Sequence, residues 1–224
     1  MSARDEILGN IRASLGVTGE EAPRRLEVKE RLELAPAGVI PARGQGDAAA
    51  RLATFKFEAE RAQASVVEVA DGSEVPAEIA RYLREANLPA TLRTGEDPRL
   101  LAMPWRETAL EVTRGPSDGH DLNGASAAFA AVAESGTLAL CSGPDNPTTI
   151  NFLPDNHFVV VFAGDVLADY ESVWGKLRAR YGKGVMPRTI NFITGPSRSA
   201  DIEQTLLLGA HGPRRLHIVI VGDG

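Results

Sequence analysis

The chain has 224 residues, and its hydrophobic fraction of 43% is sufficient for a globular core. A formal net charge of −6 argues against a nucleic-acid-binding surface, which requires a basic face. No apolar run reaches the roughly 18 residues of a membrane span. The first residues also lack an apolar signal core, so we expect a cytoplasmic protein. Cys141 is the only cysteine, which predicts neither a disulfide framework nor an iron–sulfur cluster in this chain.

Residues 1–46 are predicted to form a helical arm followed by a connector. Ile7, Leu8, Ile11 and Leu15 recur at helical spacing, and Ser2 is a plausible N-cap. From residue 17 to 46 this periodicity is lost and prolines and glycines accumulate, which indicates a connector. We expect the apolar face of the arm to pack on the body or on a second subunit, which allows a homo-oligomer.

Residues 47–224 are predicted to form one α/β domain, because helical and strand patterns alternate along them. The predicted helices cover residues 47–63, 75–86, 97–101, 125–133 and about 165–181. The predicted strands cover residues 65–70, 90–93, 109–113, 138–141, 157–162, 189–193 and 216–221. This order favours a mostly parallel sheet flanked by helices.

The turn after residue 193 is the first candidate site. We interpret residues 189–221 as strand, tight turn, helix and strand, with the turn at the carboxyl edge of the sheet, where ligands tend to bind. The predicted ligand-binding residues are Gly195, Pro196, Ser197, Arg198, Ser199 and Asp201. Free N–H groups and Arg198 would favour an anion, whereas Asp201 would oppose it. The alternative is structural, with Ser199 capping the helix and Asp201 complementing its dipole.

The second candidate site is the segment Glu134–Thr137. Glu134 is the candidate general base or nucleophile, and Ser135, Gly136 and Thr137 are candidate ligand-binding residues, with glycine allowing close approach. The alternative is a helix-to-strand junction that requires glycine at its end. None of the four histidines forms a pair at metal-binding spacing, so no metal site is predicted.

Several segments together resemble the LUD (lactate utilization domain) family, in particular its short single-domain branch. These segments are residues 133–138, Leu153-Pro154, 157–161, 194–203 and 209–213. The resemblance covers roughly residue 47 to the end, and the motif at 194–203 is long enough to be specific.

The resemblance implies a NagB/RpiA/CoA-transferase-like fold and a role in a cytoplasmic system that oxidises L-lactate to pyruvate. It implies an accessory or ligand-binding subunit that works with iron–sulfur partner proteins, the clusters being held only by those partners. A second possibility, suggested by the fold relation, is a CoA-transferase-like enzyme with Glu134 as its nucleophile. A cyclo-ligase or isomerase acting on a small anionic metabolite is a third.

Overall fold

The computed structural model describes residues 2–200 and 206–222, and the chain forms two compact units, residues 1–40 and 41–224. The helices are α1 (Ala3–Leu15), α2 (Ala22–Leu34), α3 (Ala48–Arg61), α4 (Val75–Glu85), α5 (Pro98–Leu101) and α6 (Tyr170–Tyr181). The first strands are β1 (Ser65–Val69), β2 (Thr91–Thr94), β3 (Glu111–Arg114), β4 (Asn123–Ala127), β5 (Ala130–Val132) and β6 (Thr137–Cys141). The remaining strands are β7 (Asn156–Phe162), β8 (Val166–Leu167), β9 (Ile190–Ile193), β10 (Arg198–Ala200), β11 (Leu206–Leu208) and β12 (Arg215–Val221).

The first unit consists of the two helices α1 and α2. Ser2 caps α1 as predicted, through a reciprocal capping box with Asp5. The prediction of an irregular connector was wrong for residues 22–34, which form α2. Pro23 is compatible with this helix because it lies in the first turn, where an absent N–H costs no hydrogen bond. The predicted packing of this arm on a body or second subunit stays a prediction.

The second unit is built on a parallel sheet of six strands in the order β1-β12-β7-β4-β2-β3. Each neighbouring pair in this sheet is parallel, which confirms the predicted α/β class with a mostly parallel sheet. The central strands β7 and β12 are apolar along most of their length because both faces of the sheet are covered. No helix within residues 2–200 or 206–222 is both long and apolar enough to cross a membrane.

The core lies on both faces of this sheet. On one face, Val159 and Ile218 pack with Phe55 of α3 and with Leu138 of β6. On the other face, a second cluster joins the sheet to α4. Successive residues of a strand point to opposite faces, so His157 lies on the same face as Val159, at the beginning of β7.

A smaller sheet has the order β8-β5-β6-β9, and β10 and β11 form a separate antiparallel hairpin. The interpretation of residues 189–221 as strand, turn, helix and strand of one parallel sheet was therefore wrong. β9 pairs antiparallel with β6, and residues 198–200 and 206–208 are strands rather than helix. The difference arises because pairing with β6 is a long-range contact that local periodicity does not reveal.

The predicted helix at 125–133 was also wrong, because these residues form parts of β4 and β5. Alanine favours helices locally, but packing overrides that preference where both faces of a strand are covered. A Cβ added to Gly124 would lie 2.8 Å from Ile150 Cγ2 and 2.9 Å from Pro154 Cγ. The small side chains of this segment thus allow close packing over β4.

Candidate functional site

A cavity of about 310 Å³ lies beside the beginnings of β7 and β12. It is lined by Asn151, Phe152, His157, Phe192, Ile193, Thr194, Gly195, Pro196, Ser197, Arg198, His211, Gly212, Pro213 and Leu216. The predicted ligand turn therefore lines a cavity, but at the amino ends of the parallel strands rather than at their carboxyl edge. The physical reason is that the turn follows β9, which belongs to the smaller sheet.

The turn after β9 forms the first wall, and it is fastened to the end of α3. The buried Gly195 has a φ of +70°, and a Cβ added there would lie 3.0 Å from the carbonyl carbon of Ala62. A guanidinium nitrogen of Arg198 donates to the Ala62 carbonyl oxygen at 3.1 Å. Glycine is required here because the left-handed backbone and the close approach both exclude a side chain.

The loop between β11 and β12 forms the second wall. The Ser197 amide donates to the Pro213 carbonyl oxygen at 2.8 Å, and the Gly209 amide donates to the Ser197 carbonyl oxygen at 3.0 Å. The His211 amide also donates to Ser197 Oγ at 3.4 Å. Ser197 therefore joins two sequence motifs, 194–198 and 209–213, into one continuous wall.

His157 and Asn151 form the buried side of the cavity. His157 is 1% exposed and Asn151 is fully buried. His157 Nε2 lies 3.1 Å from Ser126 Oγ, which in turn donates to Asn151 Oδ1 at 3.1 Å. His157 Nδ1 and Asn151 Nδ2 are buried without a hydrogen-bond partner within the described residues. Buried polar atoms are normally paired, so these two are expected to meet a ligand or water.

The electrostatics of the cavity favour an anion. Its described lining contains the cationic side chain of Arg198 and no carboxylate. This contrasts with the net charge of −6 for the whole chain. Burial lowers the pKa of His157 to about 3, so this imidazole is neutral at physiological pH and offers a lone pair. The site therefore combines a cation at its surface with neutral hydrogen-bonding groups in its interior.

Glu134 does not line this cavity. It lies in a short 3-10 turn before β6 and is 4% exposed. Its Oε1 accepts from the Tyr170 amide at 3.4 Å, and its Oε2 has no partner among the described residues. Glu134 is thus a buried carboxyl group beside the start of α6, and its assignment as a base or nucleophile stays a prediction.

The other residues of the Glu134–Thr137 segment adjoin the cavity without lining it. Thr137 Oγ1 lies 2.6 Å from Thr194 Oγ1, which belongs to the cavity wall, and 2.8 Å from Ser135 Oγ. The Tyr170 hydroxyl completes this cluster at 2.9 Å from Thr137 Oγ1. The two predicted sites are therefore joined through a hydroxyl cluster, and their ligand contacts stay predictions.

Gly136 is placed against helix α3 instead of facing open space. Its φ is +63°, and an added Cβ would lie 2.5 Å from the Glu58 carbonyl carbon. Of the remaining predicted ligand residues, Ser199 belongs to β10, whereas Asp201 lies outside the described residues.

A second cavity, of about 370 Å³, lies near the carboxyl ends of β2 and β4, where the sequence predicted a ligand. Its cations are largely neutralised. Arg99 pairs with Asp97 at 2.9 Å and with Asp165 at 3.1 Å, and Lys176 also pairs with Asp165. Paired cations leave little net field for an anion, so the cavity beside β7 is the better candidate site.

Sequence reasoning missed Asn151, His157 and His211 as cavity residues. The apolar pattern of β7 carries no sign that one nitrogen of His157 lacks a partner among the described residues. One signal was present: residues 157–161, 194–203 and 209–213 all carried the family resemblance. The described residues of these segments lie together around the cavity only in the folded chain.

The comparisons with known proteins agree with this convergence. The LUD domain family matches residues 124–221. This stretch is similar to the LUD domain family. It contains every residue that lines the cavity, from Asn151 to Leu216.

Curated relatives of the LUD domain include the "Lactate utilization protein C" of Geobacillus thermodenitrificans, which is 41% identical over 93 residues. The protein of the same name from Bacillus subtilis is 37% identical over 93 residues. Each match covers 41% of this chain and 39% of the relative, so the chain spans about two-fifths of the length of these relatives. The LUD domain is thus similar to one part of them.

The fold itself is similar to a solved structure, a DUF162 family protein from Deinococcus radiodurans. The TM-score is 0.59 at 23% sequence identity, over 80% of this chain and 100% of that chain. This likeness supports the α/β architecture around the LUD domain.

Proposed function

We propose that this protein is a component of a cytoplasmic L-lactate oxidation system and binds a small anionic metabolite in the cavity beside β7. The observation that carries the proposal is that motifs 194–198 and 209–213 form two walls of one cavity. Both lie within the segments that carry the resemblance to the LUD family, 194–203 and 209–213, and curated relatives are named for lactate utilization.

The chemistry of the cavity supports a small carboxylate as ligand. Arg198 supplies a planar cation that suits a carboxylate, and the described lining holds no competing acid. The backbone of the wall is rigidly fastened, because Ser197 bonds to both Pro213 and Gly209. A preorganised wall reduces the free energy spent on ordering when a ligand binds.

Oxidation of L-lactate to pyruvate releases two electrons and two protons, which an acceptor must take up. This chain contains one cysteine, whereas an iron–sulfur cluster is commonly held by four thiolates. We therefore assign electron transfer to iron–sulfur partner proteins and a ligand-binding or accessory role to this chain.

The physiological part of the proposal is tested by deleting the gene and measuring growth on L-lactate, with growth on glucose as the control. We expect the deletion strain to grow poorly on L-lactate only, and the wild-type gene to restore growth. Complementation by Arg198→Met should be impaired if the cavity is used. Normal growth of the deletion strain on L-lactate, with no second copy of the gene, contradicts the proposal.

The partner assignment is tested by purifying the tagged protein from cells grown on L-lactate. Co-purification of a protein with iron–sulfur absorption in the visible range supports it. Isolation of this chain alone at its physiological concentration, from cells that are oxidising lactate, argues against a stable partner.

A further inference from the structure

The hydrogen-bond chain at the buried side of the cavity has a defined direction. Asn151 Oδ1 is a carbonyl oxygen and can only accept, so the hydroxyl proton of Ser126 points towards it. With its proton committed, Ser126 Oγ accepts from the Nε2–H group of His157 at 3.1 Å. His157 is neutral, since burial lowers its pKa to about 3. Its proton therefore resides on Nε2, and Nδ1 carries a lone pair.

Two polar atoms of this hydrogen-bond chain have no partner among the described residues, and they have opposite character. His157 Nδ1 is an acceptor, and Asn151 Nδ2 is a donor. Both residues line the cavity, and so does the exposed Arg198, one guanidinium nitrogen of which donates to the Ala62 carbonyl oxygen. A ligand that satisfies all three groups must offer a hydrogen-bond donor, an acceptor and a negative charge.

We propose that the chain Asn151–Ser126–His157 makes this cavity select a 2-hydroxy carboxylate over the corresponding 2-oxo carboxylate, an inference that rests on the proposed binding of a small anion here. The ligand hydroxyl donates to His157 Nδ1. The ligand carboxylate accepts from Asn151 Nδ2 and pairs with Arg198. Ser126 does not line the cavity and acts as a positioning residue that holds the His157 proton on Nε2.

The oxidised form of the same ligand is disfavoured by the same geometry. A keto oxygen has lone pairs only and would face the lone pair of His157 Nδ1, so a hydrogen bond is replaced by repulsion. An analogue without any oxygen at that carbon would leave Nδ1 buried and unpaired. Sites built to hydrogen-bond a hydroxyl discriminate strongly against such analogues, because the buried group is then unsatisfied.

The selectivity is measured by isothermal titration calorimetry of the full chain with L-lactate, pyruvate and propionate. We expect L-lactate to bind about tenfold or more tightly than either analogue, as the loss of one buried hydrogen bond implies. Equal affinities for the three acids would overturn the proposal. Tighter binding of pyruvate than of L-lactate would also overturn it, because that result is expected if the hydrogen bonds of the chain run in the opposite direction and His157 Nδ1 carries the proton.

The positioning role of Ser126 is tested by Ser126→Ala. This variant leaves the cavity lining intact and removes the group that holds the His157 proton. We expect the preference for L-lactate over pyruvate to fall towards unity while the affinity for propionate stays within about twofold. A variant that keeps the full preference would overturn this role, and a merely structural effect would weaken all three acids equally.

The tautomer of His157 is tested without any ligand, by nitrogen NMR of the wild-type protein labelled in its histidines and assigned with His157→Gln. We expect a pyridine-type shift for Nδ1 and a pyrrole-type shift for Nε2. The opposite pattern would overturn the proposal even if Ser126→Ala does not fold. The selectivity of the cavity and the physiological role can fail independently. If the protein prefers L-lactate in calorimetry but the deletion strain grows normally on L-lactate, the proposed selectivity stands and the assignment to lactate oxidation is wrong.

Discussion

Substituting Gly136 by alanine distinguishes a packing role for this glycine from close approach of a ligand. The sequence allowed either role, since a glycine beside Glu134 suits both. In the fold, the backbone of Gly136 is left-handed, with a φ of +63°, and faces helix α3. An added Cβ would lie 2.5 Å from the Glu58 carbonyl carbon and 2.7 Å from Ala59 Cα. Both atoms are backbone, so neither can move aside by a simple rotation.

The expected cost has two parts. Holding alanine in the left-handed region costs about 1–2 kcal/mol. Overpacking against a backbone that must shift costs about 1–3 kcal/mol more. We therefore expect Gly136→Ala to lower the free energy of unfolding by about 2–5 kcal/mol, a large fraction of the stability of an ordinary domain.

The assay is urea unfolding, with Gly175→Ala as the matched control. Gly175 lies in the interior of α6, is exposed, and has no heavy atom within 4 Å of an added Cβ. Alanine there should stabilise the protein by about 0.5–1 kcal/mol, because it favours the helix more than glycine does. Replacing glycine by alanine is thus expected to lower the free energy of unfolding at position 136 and to raise it at position 175.

One result would refute this reasoning. If Gly136→Ala has the same urea midpoint of unfolding as the wild type but loses affinity for L-lactate, then a ligand approaches Gly136. The structural account requires the reverse, a clear loss of stability with ligand affinity retained in the fraction that is folded.

Three further predictions concern the cavity and the buried carboxyl group. Glu134→Gln should change L-lactate affinity in calorimetry by less than about twofold, because Glu134 does not line the cavity; a loss of tenfold or more would restore it as a site residue. Arg198→Met should weaken L-lactate binding by about threefold to tenfold, a modest effect because the arginine is exposed, and an unchanged affinity at low salt would contradict the anion site. His157 has a folded pKa of about 3 and an unfolded pKa near 6.5, so the unfolded state binds more protons between these values and stability falls as pH drops. Between pH 7 and pH 4, protonation of His157 in the unfolded state should lower the free energy of unfolding by on the order of 3 kcal/mol. If the free energy of unfolding of His157→Gln falls equally steeply over this range, His157 is not the cause.

Local signals predicted most of the elements correctly. The helix predicted at residues 47–63 is α3, and the side chain of Asp47 caps it by accepting from the Ala50 amide. The strand predicted at residues 157–162 is β7, and it lies between β12 and β4. Such features depend on residues adjacent in sequence and on burial, and both produce a recognisable pattern of residue types in the sequence.

Two of the failures, at residues 125–133 and at β9, share one physical cause. Residues 125–133 have side chains that permit helix or strand, and the pairing of β4 with β7, about thirty positions away, decided between them. α2 was missed for a different reason, because Pro23 suggested a break although proline is tolerated in a first helical turn. Pairings such as β6 with β9 depend on residues about fifty positions apart, which no local window contains.

The sequence by itself determined the α/β class, the order of most elements and the family resemblance of residues 194–203, because these depend on local periodicity and residue type. Only the tertiary structure decided which cavity the described ones among these residues line. It brought the turn at Gly195 and the loop at His211 together through Ser197. It also placed His157 behind them, with one nitrogen that has no partner among the described residues. A hydrogen-bond partner is a property of position in space, so its absence is visible only once the chain has folded.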